Sequence, residues 1–559
     1  MSAELGGGLA RMGDDGLVVW LGELGPSAFS AALAVSCRAM GLKAEVVAGE
    51  GTALVRLAGQ ARMCCPDPQQ MELLEVACLE ALASRPAAGS ALGEPEVVEI
   101  PVLYDGPDLQ EVARECSMEV SEVVRRHQQS PHVVDFMGFA PGFGYLGGLD
   151  PALRVARLAS PRPRVFPGAV GIAAGRSCIY PTASPGGWRI IARTDAVLFD
   201  PRKQKPTLLS PGTKVHFRAV EHLAGKPKGS RHVTKTPKTS PAISVTDASG
   251  MLTVQDAGRF GWAAVGVARA GALDWFAAAM ANRLVGNPED RASLELVMGS
   301  LTLTAHRDVV VSLTGAPRPA RLMEEGRGFP LPHGCGFVLR RGQHLRLGAP
   351  EAGIVSYVAF GGGIAAELVM GSRSRDTMAG IGPAPLAAGS SFALGKPSGL
   401  VRPGRWLRRE ALPPGYPGAT RSQAPLRLVG FGMRDTGAIV DAMAASSWEV
   451  ASDSDRAGMR LWRPEGGVGG GGETAPVGVA EGVVQLPEGG MPIILRANHA
   501  TTGGYKVVAR LCGADLAVAS QLRPGDAVAL GAIDPAEAEV ACRVARLERL
   551  HAVVDLGEL

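Results

Sequence analysis

Pro181-Thr-Ala-Ser-Pro-Gly186-Gly187-Trp188-Arg-Ile-Ile-Ala-Arg193 decides how this chain is read, because Ala500-Thr501-Thr502-Gly503-Gly504-Tyr505-Lys-Val-Val-Ala-Arg510 echoes it. Each copy carries a small hydroxyl residue, a Gly-Gly pair, an aromatic and a short basic-apolar run ending in Ala-Arg. The downstream context is shared too: Leu209-Ser-Pro-Gly212-Thr-Lys-Val215-His-Phe217 stands against Leu522-Arg-Pro-Gly525-Asp-Ala-Val528-Ala-Leu530. Two related domains in one chain account for this order. In each, a glycine-permitted turn feeds a strand, and a Pro-Gly turn then feeds the strand that closes the domain. The Leu-x-x-Gly-x-x-apolar-x-apolar pattern recurs at Leu339–Leu347 and Leu386–Leu394, so turn-plus-strand units punctuate the sequence and an all-helical protein is excluded.

At 559 residues the chain is too long for one core. Its 74 glycines and 41 prolines, with many short Val/Ile/Leu runs, describe a turn-rich β or α/β protein, and the fold class expected for the whole chain is α+β, mainly β. A formal charge of +3 is small for this length and, without basic-aromatic interleaving, gives no case for nucleic acid. The nine cysteines form no Cys-x-x-Cys and no even framework, which points to reduced thiols. No signal peptide and no apolar run of about 18 residues is present, so the expectation is a soluble cytoplasmic protein.

The first hundred residues alternate in type. Strands at Leu17–Leu21, Ala44–Ala48, Ala53–Leu57 and Val97–Val102 and helices at Ser27–Met40 and Gln69–Ala83 give a β-α-β-β-α-β order, the ferredoxin-like plan. Two amphipathic helices follow, one with Leu109, Val112, Ala113 and Cys116 on a face, the other with Val120, Val123, Val124 and His127. His127 and His132 lack a third ligand and the spacing crosses Pro131, so no metal site is expected. In Asp135–Asp150, aromatics alternate with glycines. Phe139, Phe143 and Tyr145 form either a stacking wall for a ligand or an aromatic-packed turn. Arg189 and Arg193 flank the first Gly-Gly turn and suit a carboxylate or phosphate there, or are solvated strand ends.

Ala224–Pro241 is basic and rich in Pro, Ser and Thr, a linker by composition. Beyond it, a strand runs from Leu252 to Asp256, a helix from Leu273 to Val285, and buried strands cover Leu294–Val297 and Val309–Leu313. Glu295 stands in an apolar strand, where a carboxylate needs a partner such as Arg259 or serves chemistry. Gly371-Ser372-Arg373-Ser374-Arg375-Asp376 and Ser452–Arg460 combine glycine, hydroxyls and arginines, as an anion site or an ordinary polar loop would. The division is a ferredoxin-like domain (15–104), a β domain (105–222), the linker (223–242), two further β-rich units (243–400 and 401–535) and a tail (536–559). P-loop, Gly-x-Ser-x-Gly, His-Glu-x-x-His and biotinylation motifs are absent from the sequence.

Several segments together resemble a known family. Phe136-Met-Gly-Phe-Ala-Pro-Gly-Phe-Gly-Tyr-Leu-Gly-Gly-Leu149 and Tyr180-Pro-Thr-Ala-Ser-Pro-Gly-Gly-Trp188 resemble the B component of 5-oxoprolinase, also described as the first allophanate hydrolase subunit and as the Kip kinase inhibitor. Thr253-Val-Gln-Asp-Ala-Gly258, Asn282-Arg-Leu-Val-Gly-Asn-Pro288, Gly371-Ser-Arg-Ser-Arg-Asp-Thr377, Ser454-Asp-Arg-Ala-Gly-Met-Arg-Leu461 and Thr501-Thr-Gly-Gly-Tyr505 resemble its C component, the Kip antagonist. The match covers roughly residues 15–220 and 243–532, the order of a natural B–C fusion.

The resemblance implies two cyclophilin-like β-barrels and kinship with the carboxyltransferase domain of urea carboxylase. It also implies a role, with a separate A-type 5-oxoprolinase protein, in opening the lactam of 5-oxoproline to glutamate at the expense of ATP and Mg²⁺. The competing implications are a carboxyltransferase fed by a biotinylated partner and a non-enzymatic regulator of a histidine kinase.

Anion binding is then expected of the turns at Gly186, Gly187 and Trp188 and at Thr501, Thr502, Gly503, Gly504 and Tyr505, with Ser372 and the charges of Arg193, Arg373 and Arg456. His499, Glu295 and Asp256 are the candidate catalytic groups. His499 falls where the C-type proteins usually carry a carboxylate and a glutamine, the alternative being a polar loop residue.

Overall fold

The computed structural model describes residues 8–12, 16–22, 24–57, 68–84, 96–225, 232–233, 240–397, 403–419, 424–431 and 436–555. The echoed motifs lie in two barrel-like sheets. In the first, seven strands run in the order Arg189–Arg193, Ala169–Ala173, Arg176–Ile179, Gly144–Gly147, His132–Met137, Lys214–Ala219, Val97–Val102. Paired 2.9 Å hydrogen bonds between Leu103 and Arg193 bring the last strand back to the first. In the second, Leu426–Gly430 pairs on one side with Ala527–Ile533 and on the other with Thr502–Leu511. Leu103 opposite Arg193 has its counterpart in Val429 opposite Arg510. In both barrels the strand after the Pro-Gly turn runs parallel to the barrel's first strand, as Lys214–Ala219 beside Val97–Val102 and Ala527–Ile533 beside Leu426–Gly430. The duplication is thus a duplication of topology.

Val97–Val102 therefore belongs to the first barrel, not to the N-terminal unit, which corrects the ferredoxin-like expectation. The N-terminal sheet is antiparallel, in the order Gly8–Arg11, Gly16–Trp20, Thr52–Leu57, Ala44–Ala48. Gly8–Arg11 takes the edge that the sixth element of the plan would have filled. Alternation explains the two faces of this sheet. Leu17, Val19 and Val55 pack under helices Pro26–Ala39 and Pro68–Ala83. Met12, Val47 and Leu54 face the second barrel at Phe431, Val479, Val483 and Leu495. The N-terminal unit thus rests on the C-terminal barrel, to which Arg510 adds a 3.0 Å hydrogen bond on the Met12 carbonyl.

Between the barrels in sequence, a six-stranded and a five-stranded sheet enclose one apolar core of residues such as Leu294, Leu303, Val311, Leu345 and Phe360. Helix Trp275–Leu284 is capped by Asp274, whose carboxylate accepts from the Ala277 amide at 3.0 Å. Its Ala277, Ala278 and Ala281 lie against strand Val355–Phe360, while Phe276 and Met280 enter the second barrel's core. Small side chains on one face and large ones on the other let a single helix join two cores.

Two more expectations change. Residues 536–559 are not a tail: Pro535–Leu550 is a helix with a capping box between Asp534 and Glu537, followed by strand Val553–Asp555, and only 556–559 lie outside the described residues. Of the linker, 226–231 and 234–239 lie outside the described residues, and His232–Val233 pairs in parallel with Ile381–Gly382. No helix among the described residues is long and apolar enough to cross a membrane. The described cysteines are all free of disulfides; Cys64 and Cys65 fall outside them.

Candidate functional site

Five of the segments that carried the resemblance, Phe136–Leu149, Thr253–Gly258, Gly371–Thr377, Ser454–Leu461 and Thr501–Tyr505, meet at one junction, while Tyr180–Trp188 and Asn282–Pro288 lie outside it. The first barrel contributes the loop after strand His132–Met137. There Gly138 comes so close to the second barrel that a Cβ would lie 2.0 Å from Thr502 Oγ1, and the Phe139 amide donates to that oxygen at 3.0 Å across 363 residues of sequence. The Gly142 amide donates to the Val265 carbonyl at 3.2 Å, which brings in the glycine-rich run of the middle unit.

Within the middle unit, Asp256 ends strand Met251–Gln255 and gathers the Gly371–Thr377 loop. One carboxylate oxygen accepts from Ser372 Oγ (2.6 Å), Ser374 Oγ (2.5 Å) and the Gly258 amide (2.8 Å), the other from the Arg373 amide (2.6 Å). Ser372 and Ser374 are fully buried, and their hydroxyls suit a buried carboxylate that needs donors. Asp376 closes the same loop. Its Oδ1 accepts from the Met378 and Ala379 amides and from Asn498 Nδ2 at 3.0 Å, so the loop is tied to the second barrel.

Arg456, from the Ser454–Leu461 segment, enters the same region. It forms a buried ion pair with Glu295 and donates to the Gly271 carbonyl at 2.5 Å and to Asn498 Oδ1 at 3.1 Å. Glu295 also accepts from Tyr357 Oη (2.6 Å) and the Leu273 amide (2.8 Å). Burial, reinforced by the neighbouring charges of Glu295 and Asp274, pushes the Tyr357 phenol well above its ordinary range and keeps it a donor. The partner of Glu295 is therefore Arg456 and not Arg259. Glu295 and Arg456 thus partner one another.

The predicted residues divide clearly. Asp256, Ser372, Arg373, Arg456, Thr501 and Thr502 are at or beside the junction. His499 adjoins it, 7% exposed, with Nδ1 2.7 Å from the Ala500 carbonyl oxygen. The Arg373 guanidinium donates to the Ala366 carbonyl at 2.9 Å. Gly503 and Gly504 begin strand Thr502–Leu511, where Gly503 lies opposite Val477, and Tyr505 is largely exposed.

Phe143 and Tyr145 are buried in an aromatic cluster with Phe136, Tyr180 and Trp188, and Gly186 and Gly187 border this cluster. Their ring centroids are 4.9 Å apart in an edge-to-face contact, so they pack the barrel rather than wall a ligand. Phe139 alone of that wall is substantially exposed, at a left-handed φ of 60°. Arg193 is removed from the site: it bridges to Asp105 at 2.7 Å on the surface where the first barrel closes. His127 and His132 are a buried pair with ring centroids 4.9 Å apart, hydrogen-bonded to Tyr104, Ser177 and the His127 carbonyl.

Three residues of the junction were not among the expected site residues: Arg259, read only as a partner for Glu295, Asp376, read only as the end of a polar loop, and Asn498. Arg259 is 2% exposed, and its Nη2 donates to the Ser374 carbonyl. Burial pulls its guanidinium below the ordinary range, against the opposing pull of Asp376 and Asp256. Their signal was present, since Arg259 directly follows Gln-Asp-Ala-Gly258 and Asp376 lies in the Gly371–Thr377 segment.

For Mg²⁺ the fit is poor. No group of three or more His, Cys, Asp or Glu side chains suited to a metal stands among the described residues, and the carboxylates of Asp256 and Glu295 are already filled by donors. A cavity of about 310 Å³ lies away from the junction, between helix Pro535–Leu550 and the second barrel, lined by residues such as Trp275, Pro414, Leu426 and Val544.

Comparison with known proteins agrees with this architecture. Residues 9–209 match the carboxyltransferase domain, subdomain C and D, and residues 265–532 match the carboxyltransferase domain, subdomain A and B. The chain is 46% identical over 129 residues to the B component of 5-oxoprolinase from Escherichia coli O157:H7, an alignment covering 22% of this chain and 59% of that protein's own length. It is 34% identical over 299 residues to the C component of 5-oxoprolinase from Escherichia coli K12, covering 51% of this chain and 89% of that protein. The crystal structure of TTHA0988 superposes with a TM-score of 0.77 at 32% identity, covering 92% of this chain and 99% of the other. With its N-terminal part matching the B component and its C-terminal part matching the C component, this chain belongs to the carboxyltransferase-domain family of the 5-oxoprolinase subunits.

Proposed function

We propose that this chain is the fused B–C component of an ATP-dependent 5-oxoprolinase that opens 5-oxoproline to L-glutamate together with a separate A-type protein. The observation that carries the proposal is the junction itself. Segments of the B and C types, hundreds of residues apart, supply Gly138–Phe139, Asp256, Asp376, Asn498 and Thr502 to one small volume. A fusion in which the two halves merely shared a chain would not need these contacts.

The chemistry asks for such a place. A lactam carbonyl is a poor electrophile. Phosphorylating its oxygen lets one water add to the carbon, and the ring C–N bond then breaks with the nitrogen leaving as the amine. A second water hydrolyses the resulting acyl phosphate to glutamate and phosphate. The protein's part is to hold the ring and stabilise developing negative charge with fixed donors. We read the unpartnered guanidinium nitrogens of Arg259 and the Thr501 hydroxyl as those donors here. ATP and Mg²⁺ are implied by the family resemblance, and no step is assigned to them through residues of this chain. We read the two barrels as cyclophilin-like and the protein as cytoplasmic on the same resemblance.

The test is steady-state ATP hydrolysis by the chain plus its A-type partner, with and without 5-oxoproline, while glutamate is followed. Glutamate formed in step with ATP consumption is the expected result. ATP use that ignores 5-oxoproline, with no glutamate, rejects the reading. The match to carboxyltransferase subdomains favours one alternative, transfer from a carboxylated biotin carrier. It predicts activity only with a biotinylated partner.

A further inference from the structure

Arg259 and Asp376 leave a donor-acceptor pair unmet inside the junction. Both side chains are buried, at 2% and 0% exposure. Arg259 Nε and Nη1 have no hydrogen-bond partner, and neither does Asp376 Oδ2. The two groups interact through their charges, and no ion pair joins them. A buried guanidinium with one backbone carbonyl as partner, beside a carboxylate with one bare oxygen, is a costly arrangement, and Gln255 Oε1 and Thr501 Oγ1 at or beside the junction are unpartnered as well. Nearby, Asp256 takes donors on both oxygens and Glu295 takes an arginine, a tyrosine and an amide. Among the buried unpartnered atoms of the described residues, Asp376 Oδ2 is the one carboxylate oxygen, and it lies beside an arginine with two unused nitrogens.

The fold holds both groups in place. Arg259 is pinned at its amide by the Arg269 carbonyl (2.6 Å) and at Nη2 by the Ser374 carbonyl. Asp376 Oδ1 is held by two backbone amides and by Asn498. Each thus presents a fixed set of unused valences, donors on one side and an acceptor on the other. Asp376 lies two residues before Met378, which is 65% exposed, so the buried pair stands close behind the protein surface.

We infer that Arg259 and Asp376 together are the specificity determinant for a carboxylated cyclic amide, Arg259 donating to the ligand's carboxylate and Asp376 Oδ2 accepting from the ring N–H. This deepens the function proposed above and rests on it for the identity of the ring. An anion alone would leave Asp376 unmet, and a cation alone would leave Arg259 unmet. A ligand carrying both an N–H and a carboxylate matches both.

The test uses the full chain and two probes, 5-oxoproline and 2-pyrrolidone, the same ring without its carboxylate, with dissociation constants from calorimetry. Arg259→Met is expected to weaken 5-oxoproline at least 100-fold and leave 2-pyrrolidone unchanged, while Asp376→Asn weakens both and Arg259→Lys restores part of the first loss. A folded Arg259→Met chain that binds 5-oxoproline like wild type overturns the inference.

Thermal melting of the ligand-free chain gives an arm independent of 5-oxoproline. A pair kept for a ligand predicts that the double variant Arg259→Met/Asp376→Asn melts no lower than wild type. If wild type binds no 5-oxoproline and the double variant still melts no lower, the 5-oxoprolinase reading falls and the pair stands for another carboxylated amide. If wild type binds none and the double variant melts lower, the pair is structural and the inference falls as well.

Discussion

Glu295 has no exposed surface and is met by Arg456, by Tyr357 and by the Leu273 amide. Removing one partner strands a buried charge, so Arg456→Met is expected to cost about 3–5 kcal/mol in urea denaturation. The double variant Arg456→Met/Glu295→Leu should recover most of that loss. That Glu295 needed a cation was legible, because an ionised carboxylate in an apolar strand has no other way to exist. Which cation was not, since Arg456 lies 161 residues away and Arg259 lies nearer in sequence. The buried histidines make a pH prediction. Burial lowers His132 from its ordinary value to about 4 and pulls His127 well below its ordinary value, so both are neutral in the fold and accept protons more readily when unfolded. Their contribution is complete above about pH 6.5 and is lost as pH falls towards 4, by up to about 1.4 kcal/mol per unit and group. Comparing the pH dependence of stability in wild type and His132→Gln checks it: the variant should have the shallower slope across that window, and equal slopes would contradict the assignment.

Gly106 shows how the first barrel is shut. Its amide donates to the Ile191 carbonyl at 3.1 Å, and a Cβ there would lie 2.3 Å from the Ile190 carbonyl oxygen, which is backbone and cannot swing away. Gly106→Ala should therefore push the closing strand outward and cost about 1–3 kcal/mol, read by denaturation, with faster amide exchange at Ile190 and Ile191. Strands and helices of the first hundred residues were legible because their periodicity is local. What failed was the pairing: nothing in Val97–Val102 itself says that its neighbour is Lys214–Ala219 rather than Gly16–Trp20. The C-terminal helix was missed for another reason. Asp534-Pro535-Ala536-Glu537 spells a capping box with proline at the first position, a sign that outweighs the weak apolar pattern behind it. Asp534→Ala should lower stability by about 1 kcal/mol, seen as fraying of that helix by amide exchange.

Taken whole, the molecule joins its ends. The N-terminal sheet lies on the second barrel, the first barrel's loop touches Thr502, and helix Trp275–Leu284 is shared between two cores. The expectation is that a protease site placed among residues 226–239 can be cut without separating the halves on gel filtration, because the contacts and not the tether hold them. Gly138→Val, which drives a side chain into Thr502, should weaken that association after cutting, and halves that part at once without that substitution would refute it. The repeated motif announced the duplication, while this closure of the chain on itself depends on surfaces that no local pattern marks. The parallel pairing of each barrel's opening and final strands also sets a timetable for synthesis. Val97–Val102 leaves the ribosome long before Lys214–Ala219 exists, and at ~5–20 residues per second the unfinished sheet waits several seconds with an open edge. The second barrel repeats the wait, since Leu426–Gly430 must stay unmatched on that side until Ala527–Ile533 emerges. The chain is therefore exposed twice over to whatever in the cell captures unpaired strands, and a message cut short before either final strand yields a barrel that cannot shut.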